Sequence, residues 1–176
     1  PGFRVVMPDF LDGNLATGDM FSGTEEGNNK RNAYFSSFPG AATSQKEQFG
    51  KVADELKKDG AKVAAAGACW GYKVIVSADA ALSAIAGFHP SFIAPEDVEK
   101  INAPLALLPS EGEDKDIINK IYEGVEKKNP GKNVLKSFPD SVHGWMAARG
   151  DLESEEGRKT FSEGYQILSK FFQSNL

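Results

Sequence analysis

One short stretch constrains this chain more than any other: residues 67–71 read Gly-Ala-Cys-Trp-Gly and directly follow the apolar run 63–66. The pattern Gly-x-nucleophile-x-Gly is typical of a sharp turn between a β-strand and an α-helix, with cysteine here in the usual place of serine. We expect glycine at both flanks because side chains there would crowd the turn. Cys69 is therefore a candidate nucleophile, and the alternative is a small buried hydrophobic residue.

Composition narrows the class of protein. The chain has 176 residues, of which 40% are hydrophobic, which suits one domain spanning residues 1–176. The net charge of −5 argues against nucleic acid or an anionic membrane as partner, and no apolar run approaches the ~20 residues that cross a bilayer. A single cysteine cannot form an internal disulfide and does not suit a cysteine-based zinc site, so a cytoplasmic protein is expected.

Strand-like and helix-like segments alternate along the chain. This alternation predicts an α/β fold with a mostly parallel sheet and helices on both faces. A long polar loop is predicted over residues 12–32. The predicted strands cover residues 3–7, 62–66, 84–89, 104–108 and 133–138, and the predicted helices cover 44–58, 70–78, 117–128 and 157–172.

The chain opens without an initiator methionine, and Pro1-Gly2 leads directly into the predicted strand 3–7. A domain seldom starts at a buried parallel strand with no element before it. We therefore expect that N-terminal strands are missing, either because the chain is a fragment or because it begins after processing.

A cysteine nucleophile requires a base, and the chain has only two histidines. His143 directly follows the last predicted strand, on the loop where a catalytic histidine occurs in this architecture, and the alternative is a surface loop residue. His89 ends a predicted strand, where it would either line the pocket or fill the strand end. We predict His143 as the base and keep His89 as a candidate pocket residue.

The acid that orients the base should follow the predicted strand 104–108, because the order along the chain is nucleophile, acid, base. Three carboxylates occur there, on Glu111, Glu113 and Asp114. Only one can hydrogen-bond the imidazole, and spacing does not separate Glu113 from Asp114. An acidic surface loop is the alternative for all three.

These residues predict a reaction through a thioester. His143 takes the proton of Cys69, the helix dipole favours the thiolate, and the thiolate attacks an acyl carbon. The backbone N–H of Trp70 would stabilise the oxyanion, together with a second donor from a loop after an earlier strand. No segment of this chain is expected to supply that second donor.

Three motifs together resemble the dienelactone hydrolase family, and its fungal branch in particular. They are Val-Met-Pro-Asp-Phe at 6–10, Ala-Cys-Trp-Gly-Tyr-Lys at 68–73 and His-Gly-Trp-Met-Ala-Ala-Arg at 143–149. The resemblance runs from about Gly2 to the C-terminal helix. It implies an α/β-hydrolase fold and a Cys-His-Asp catalytic triad that hydrolyses small lactones or carboxylic esters, with no metal ion and no organic cofactor.

Carried over residue by residue, Cys69 matches the family's nucleophile and His143 its base. For the acid, family members run from a proline through a short strand to a Gly-x-x-Asp turn, and counting from Pro104 without gaps puts Glu113 at the aspartate. A one-residue insertion would put Asp114 there, so both remain candidates and Glu113 is favoured. The family's opening strands and the loop with the second oxyanion donor precede the first residue of this chain.

Other residues near the motifs are candidates for substrate binding. Trp145 and Trp70 each follow a proposed catalytic residue and could shape an apolar pocket, with core packing as the equal alternative. The resemblance implies that Arg149 binds a substrate carboxylate, and an ion pair with Asp151 is the alternative.

The leading hypothesis is a cysteine hydrolase, or carboxylesterase, acting on a small-molecule lactone or ester. The first alternative is a catalytically silent α/β-hydrolase-like domain that binds a ligand or a protein. A thiol-based redox sensor ranks last because the chain has no second cysteine to resolve an oxidised one. The substrate and the oligomeric state stay open, with a homodimer among the possibilities.

Overall fold

Four parallel strands form one sheet whose spatial order follows the chain. The computed structural model describes residues 2–176, and Pro1, where the predicted domain begins, lies outside the described residues. The strands are β1 (Ala64–Ala68), β2 (Ala84–Phe88), β3 (Leu105–Leu108) and β4 (Val134–Leu135). Because parallel strands end at the same edge, the loops that follow β1, β2, β3 and β4 meet there.

Six α-helices accompany the sheet in the described part of the chain. They are α1 (Glu25–Ser36), α2 (Lys46–Lys57), α3 (Trp70–Ala78), α4 (Asp97–Lys100), α5 (Lys115–Lys128) and α6 (Glu155–Asn175). Short 3-10 helices cover Gly18–Phe21, Ala42–Gln45 and Lys58–Gly60. None of the helices within residues 2–176 has the length and apolar character needed to cross a membrane.

The predicted two-sided packing is confirmed by the way β2 and β3 alternate. Side chains such as Ile85 and Leu107 point to one face, where they join buried residues of α3 and α5. Ala86 and Leu108 point to the other face, where they meet α6 and the chain segment that precedes it. Each face therefore buries its own apolar cluster, and the sheet lies between two layers of helices.

The predicted strand over residues 3–7 is wrong. No strand forms there, and these residues are exposed, with Met7 at 93% of its full exposure. A strand persists only when a neighbour pairs with its backbone, and every pairing of the sheet lies between residues 64 and 135. On the side away from β2, β1 has no paired strand among residues 2–176, and its Ala66 is exposed.

The predicted loop over residues 12–32 is wrong in its second half, because α1 begins at Glu25. Oγ1 of Thr24 accepts a hydrogen bond from the backbone N–H of Gly27 at 3.1 Å, which caps the helix. Glu25 and Glu26 lie in the first turn, where their charge favours the helix dipole. The Gly-Asn-Asn sequence that follows is a poor helix former, so the sequence pattern does not predict the start of α1.

The other predicted strands and helices form at the predicted places, but their first and last residues differ. The first paired strand begins two residues later than predicted, and the last is only two residues long. At the start of that last strand, the side-chain Oδ1 of Asn133 accepts the N–H of Leu105 at 2.8 Å, in place of a backbone carbonyl.

Candidate active site

Cys69 occupies the turn between β1 and α3 in a conformation that is rare for a residue with a side chain. Its φ is 51° and its ψ is −119°. The turn is held by a hydrogen bond from the Cys69 N–H to the carbonyl of Phe88 (3.2 Å) and another from the Ser91 N–H to the Cys69 carbonyl (3.1 Å). Backbone strain of this kind persists only where the surroundings enforce it, and it occurs often at functional sites.

The two flanking glycines have different roles. A Cβ on Gly67 would lie 2.4 Å from the carbonyl carbon of Gly71 and from the nitrogen of Tyr72, so that only glycine fits at position 67. A Cβ on Gly71 would meet nothing within 4 Å. The expectation that both positions need glycine is therefore correct for Gly67 and wrong for Gly71.

The thiol of Cys69 is partly buried and has polar neighbours. Its Sγ lies 3.2 Å from Oγ of Ser91. Burial alone raises the pKa of the thiol, but contacts with His143, Ser91 and the backbone N–H of Trp70 outweigh it, and the pKa of Cys69 is lowered overall. The site therefore favours the thiolate, which is the nucleophilic form of cysteine.

Trp70 is the first residue of α3, and its backbone N–H has no acceptor within the helix. The same N–H contributes to lowering the pKa of Cys69, so it lies beside the sulfur. A role of this N–H as oxyanion donor stays a prediction. The indole of Trp70 points elsewhere, because its Nε1 donates to the carbonyl of Gly40 at 2.6 Å.

His143 and Glu113 form a tight pair on the loops after β4 and β3. Nδ1 of His143 lies 2.8 Å from Oε1 of Glu113, whose side chain is 4% exposed. Contacts with the Cys69 sulfur and with Glu113 raise the pKa of His143 to about 9. Burial raises the pKa of Glu113, but hydrogen bonds from His143 and Ser110 outweigh burial and lower it overall.

The carboxylate of Glu113 is fixed by Ser110. The backbone N–H of Ser110 donates to Oε2, and its hydroxyl donates to the same oxygen at 2.8 Å. Ser110 is itself buried, at 5% exposure. The acid is therefore held rigidly before it contacts His143, as an orienting carboxylate requires.

Asp114 lies next to Glu113 in sequence and has a different task. Its carboxylate accepts the backbone N–H groups of Asp116 and Ile117 at 2.9 and 3.0 Å, which caps the start of α5. Of the two predicted acids, only Glu113 is paired with His143.

His89 is buried beside the pair, at 1% exposure. Its ring centroid lies 5.0 Å from that of His143 in an edge-to-face arrangement. Burial, followed by the nearby charge of His143, lowers the pKa of His89 to about 4. The imidazole is therefore neutral at physiological pH and forms part of the wall around the site.

The structure does not place Trp145 as a pocket residue. Its side chain is 5% exposed and belongs to the apolar cluster under α6. The ring lies 4.3 Å from that of Phe138, and Gly164 makes room for it, since a Cβ there would lie 2.7 Å from the indole. The predicted substrate contact of Trp145 is thus corrected to a core position, because the indole faces α6.

Arg149 is exposed and lies against the base. Its Nη1 donates to the backbone carbonyl of His143 at 3.1 Å, and its side chain crosses Gly144, whose φ is 93°. Asp151 is engaged by the backbone and hydroxyl of Ser154, and no ion pair joins it to Arg149 in the described chain. The guanidinium keeps further donors available to a ligand.

Two residues of the site are absent from the sequence-based prediction. Ser110 takes the place of the family's glycine before the acid, and Ser91 contacts the thiol from the loop after β2. Their place in the sequence could have identified both as site residues, because each follows a strand that ends at the same edge of the sheet as β1, which precedes Cys69.

Two surface concavities lie away from these residues. One of about 660 Å³ is lined by α2 and the residues after α3, and one of about 580 Å³ by the start of β4 and the end of α6. Neither includes a residue of the site. Within residues 2–176, no group of three His, Cys, Asp or Glu side chains is arranged to hold a metal ion.

Comparison with known proteins shows which family the chain belongs to. The family model for dienelactone hydrolases matches residues 1–176. The chain belongs to the dienelactone hydrolase family. Two relatives in Schizosaccharomyces pombe, both uncharacterized AIM2 family proteins, are 38% and 30% identical. The alignments cover 98% and 96% of this chain and 72% and 70% of the relatives.

A solved structure supports the fold. It is the crystal structure of a protein of Klebsiella pneumoniae subsp. pneumoniae whose assignment as a dienelactone hydrolase is provisional. The TM-score is 0.55 at 17% sequence identity, over 74% of this chain. The match spans 62% of the bacterial chain, and at this identity it bears on the fold alone.

Proposed function

We propose that this protein is a cysteine-dependent hydrolase that cleaves a small carboxylic ester or lactone. The observation that carries the proposal is the pairing of the buried carboxylate of Glu113 with His143, at the edge of the sheet where Cys69 occupies its strained turn. These residues come from three separate loops at one edge of the sheet. Membership of the dienelactone hydrolase family supports hydrolytic chemistry independently of that geometry.

The resting pair favours attack. The pKa of Cys69 is lowered and that of His143 is raised to about 9, and both shifts favour a thiolate beside an imidazolium. The thiolate attacks the acyl carbon, a C–S bond forms, and the carbonyl electrons move to the oxygen. The backbone N–H of Trp70 stabilises that oxyanion.

Collapse of the tetrahedral intermediate breaks the C–O bond of the ester. The departing alkoxide takes the proton of His143, which leaves a thioester on Cys69 and a neutral imidazole. In a lactone both parts stay in one molecule, so the ring opens while the acyl carbon remains on sulfur. His143 then takes a proton from water, the resulting hydroxide attacks the thioester, and the carboxylic acid leaves as the thiolate is restored.

The charge of Glu113 has a defined part in both steps. His143 carries a positive charge at the start of the first step and gains one again in the second, and the carboxylate 2.8 Å from Nδ1 stabilises that charge and fixes the orientation of the ring. A thiolate nucleophile also has to remain reduced. We therefore propose a cytoplasmic location, where thiols are kept in that form.

Turnover of p-nitrophenyl acetate and of a panel of small lactones tests this function, with Cys69→Ala and Cys69→Ser beside the wild type. Wild type is expected to hydrolyse the esters, and mass spectrometry of the quenched reaction to find the acyl group on Cys69. Cys69→Ala should fall to the background rate. Undiminished turnover in Cys69→Ala would refute the mechanism.

The alternative of a silent binding domain makes a separate prediction. Folded wild type would then turn over none of the substrates, and iodoacetamide would label Cys69 slowly. Because the chain has one cysteine, the labelling rate reports on this site alone.

A further inference from the structure

Ser91 is held against the nucleophile by its backbone. Its N–H donates to the carbonyl of Cys69 at 3.1 Å, and its Oγ lies 3.2 Å from Sγ of the same residue. Two residues of the same loop, His89 and Phe92, have positive φ, 36° and 56°. Two such conformations in four residues show that the surrounding structure fixes this loop.

The direction of the hydrogen bond follows from the chemistry of the sulfur. A thiolate carries no proton, so in that state the hydroxyl of Ser91 has to donate. A hydrogen bond to the charged form of a group stabilises that form. The same bond also limits the rotation of the Cys69 side chain about its Cα–Cβ bond.

We propose that Ser91 is a positioning residue whose hydroxyl donates to the thiolate of Cys69 and holds the sulfur ready for attack. The proposal deepens the proposed function, on which its importance for catalysis rests. The lowered pKa of Cys69, to which the Ser91 contact contributes, is consistent with it.

One titratable group on the neighbouring elements acts on the same sulfur, and others lie on the elements around it. His143 faces it from the loop after β4 and is itself paired with Glu113. His89 lies next to His143. Lys73, on α3, is paired with Asp97 at 2.5 Å. A test of Ser91 therefore has to leave all of these groups in place.

Ser91→Ala meets this requirement, because it removes the hydroxyl and keeps the backbone bond to Cys69. Ser91→Thr is the rescue variant, since it restores a hydroxyl at the same atom. Ser174→Ala, at an exposed serine near the end of α6, is the matched control. The ultraviolet absorbance of the thiolate is followed against pH for each, and a matched titration of Cys69→Ala removes the contribution of the four tyrosines.

We expect the absorbance midpoint to move to higher pH in Ser91→Ala and to return towards the wild-type value in Ser91→Thr. Just below the wild-type midpoint, alkylation by iodoacetamide should slow by roughly three- to tenfold in Ser91→Ala. For p-nitrophenyl acetate, kcat/KM should fall by a similar factor, mostly through kcat.

The outcomes separate this inference from the proposed function. An unmoved midpoint in a folded Ser91→Ala overturns the inference, whatever the rate of ester turnover. A midpoint that moves in a protein without esterase activity supports the inference and removes the proposed function. If Ser91→Ala does not fold, Ser91→Thr and Ser91→Val are titrated instead, because valine has the shape of threonine without the hydroxyl. A midpoint that does not depend on the donor at position 91 overturns the inference.

Discussion

Nδ1 of His143 and Oε1 of Glu113 lie 2.8 Å apart, and the carboxylate is almost wholly enclosed. A buried carboxylate is stable as an anion only when it is hydrogen-bonded and paired, and Ser110 and His143 provide both. The family's usual acid is aspartate, and the longer glutamate here still reaches the imidazole. Of the two acids that the spacing left open, Glu113 is therefore the one whose carboxylate contacts His143.

Glu113→Gln should lower kcat about 10²- to 10⁴-fold, because the amide cannot stabilise the imidazolium that forms at His143. Asp114→Asn is the matched control, since asparagine also caps helices and position 114 does not contact His143. Its kcat should stay near the wild-type value. The measurement is the kcat of ester hydrolysis for both variants. A larger loss of kcat in Asp114→Asn than in Glu113→Gln would assign the acid to Asp114.

The pH dependence of kcat/KM should follow the thiolate–imidazolium pair. Activity should rise as the thiol loses its proton, at a pH below the usual range for cysteine because the pKa of Cys69 is lowered. It should fall as the pH passes about 9, because His143 then loses the proton that the leaving group requires.

Alkylation by iodoacetamide requires the thiolate and no proton donor. Its rate should therefore stay high above pH 9, where the rate of ester turnover falls. Measuring both rates on the same samples from acidic to alkaline pH separates the two groups. A joint decline on the alkaline side would point to unfolding rather than to His143.

The parts of this fold that the sequence predicts are those with local signals. The strands β1, β2 and β3 are apolar runs, and the glycine before Cys69 indicates the elbow directly. The strand predicted over residues 3–7 carries the same local signal and does not form, because pairing depends on a distant neighbour. The alternation of apolar and polar residues predicts which face of a strand is buried. It does not predict which other strand pairs with it.

The site shows the same division between local and distant information. Cys69 and His143 are indicated by their neighbours in sequence. Which of Glu113 and Asp114 contacts His143 depends on where α5 begins, since the carboxylate that caps the helix is engaged there. The contact of Ser91 with the thiol and the core position of Trp145 both depend on contacts between segments distant in sequence. A pattern of neighbouring residues does not predict such contacts.

The glycines of the elbow allow a direct test of local geometry. Gly67→Ala places a Cβ 2.4 Å from the backbone of α3, which cannot move aside cheaply, so the free energy of unfolding should fall by about 1–3 kcal/mol or more. Gly71→Ala enters open space in a helix and should be neutral or raise stability by up to about 1 kcal/mol. Urea unfolding of the two variants gives both values, and equal destabilisation would contradict the structural difference.

Arg149 is expected to act through the base rather than through the substrate. Its guanidinium donates to the carbonyl of His143, so Arg149→Met should loosen that loop and lower kcat several-fold for neutral and anionic substrates alike. A residue that binds a substrate carboxylate would instead raise KM for carboxylated lactones and leave neutral esters unaffected. Kinetics on one matched pair, a lactone with and without a carboxylate, distinguish the two roles. Arg149→Lys should restore part of kcat only if a single donated hydrogen bond is what the loop requires, because lysine cannot reproduce the planar guanidinium.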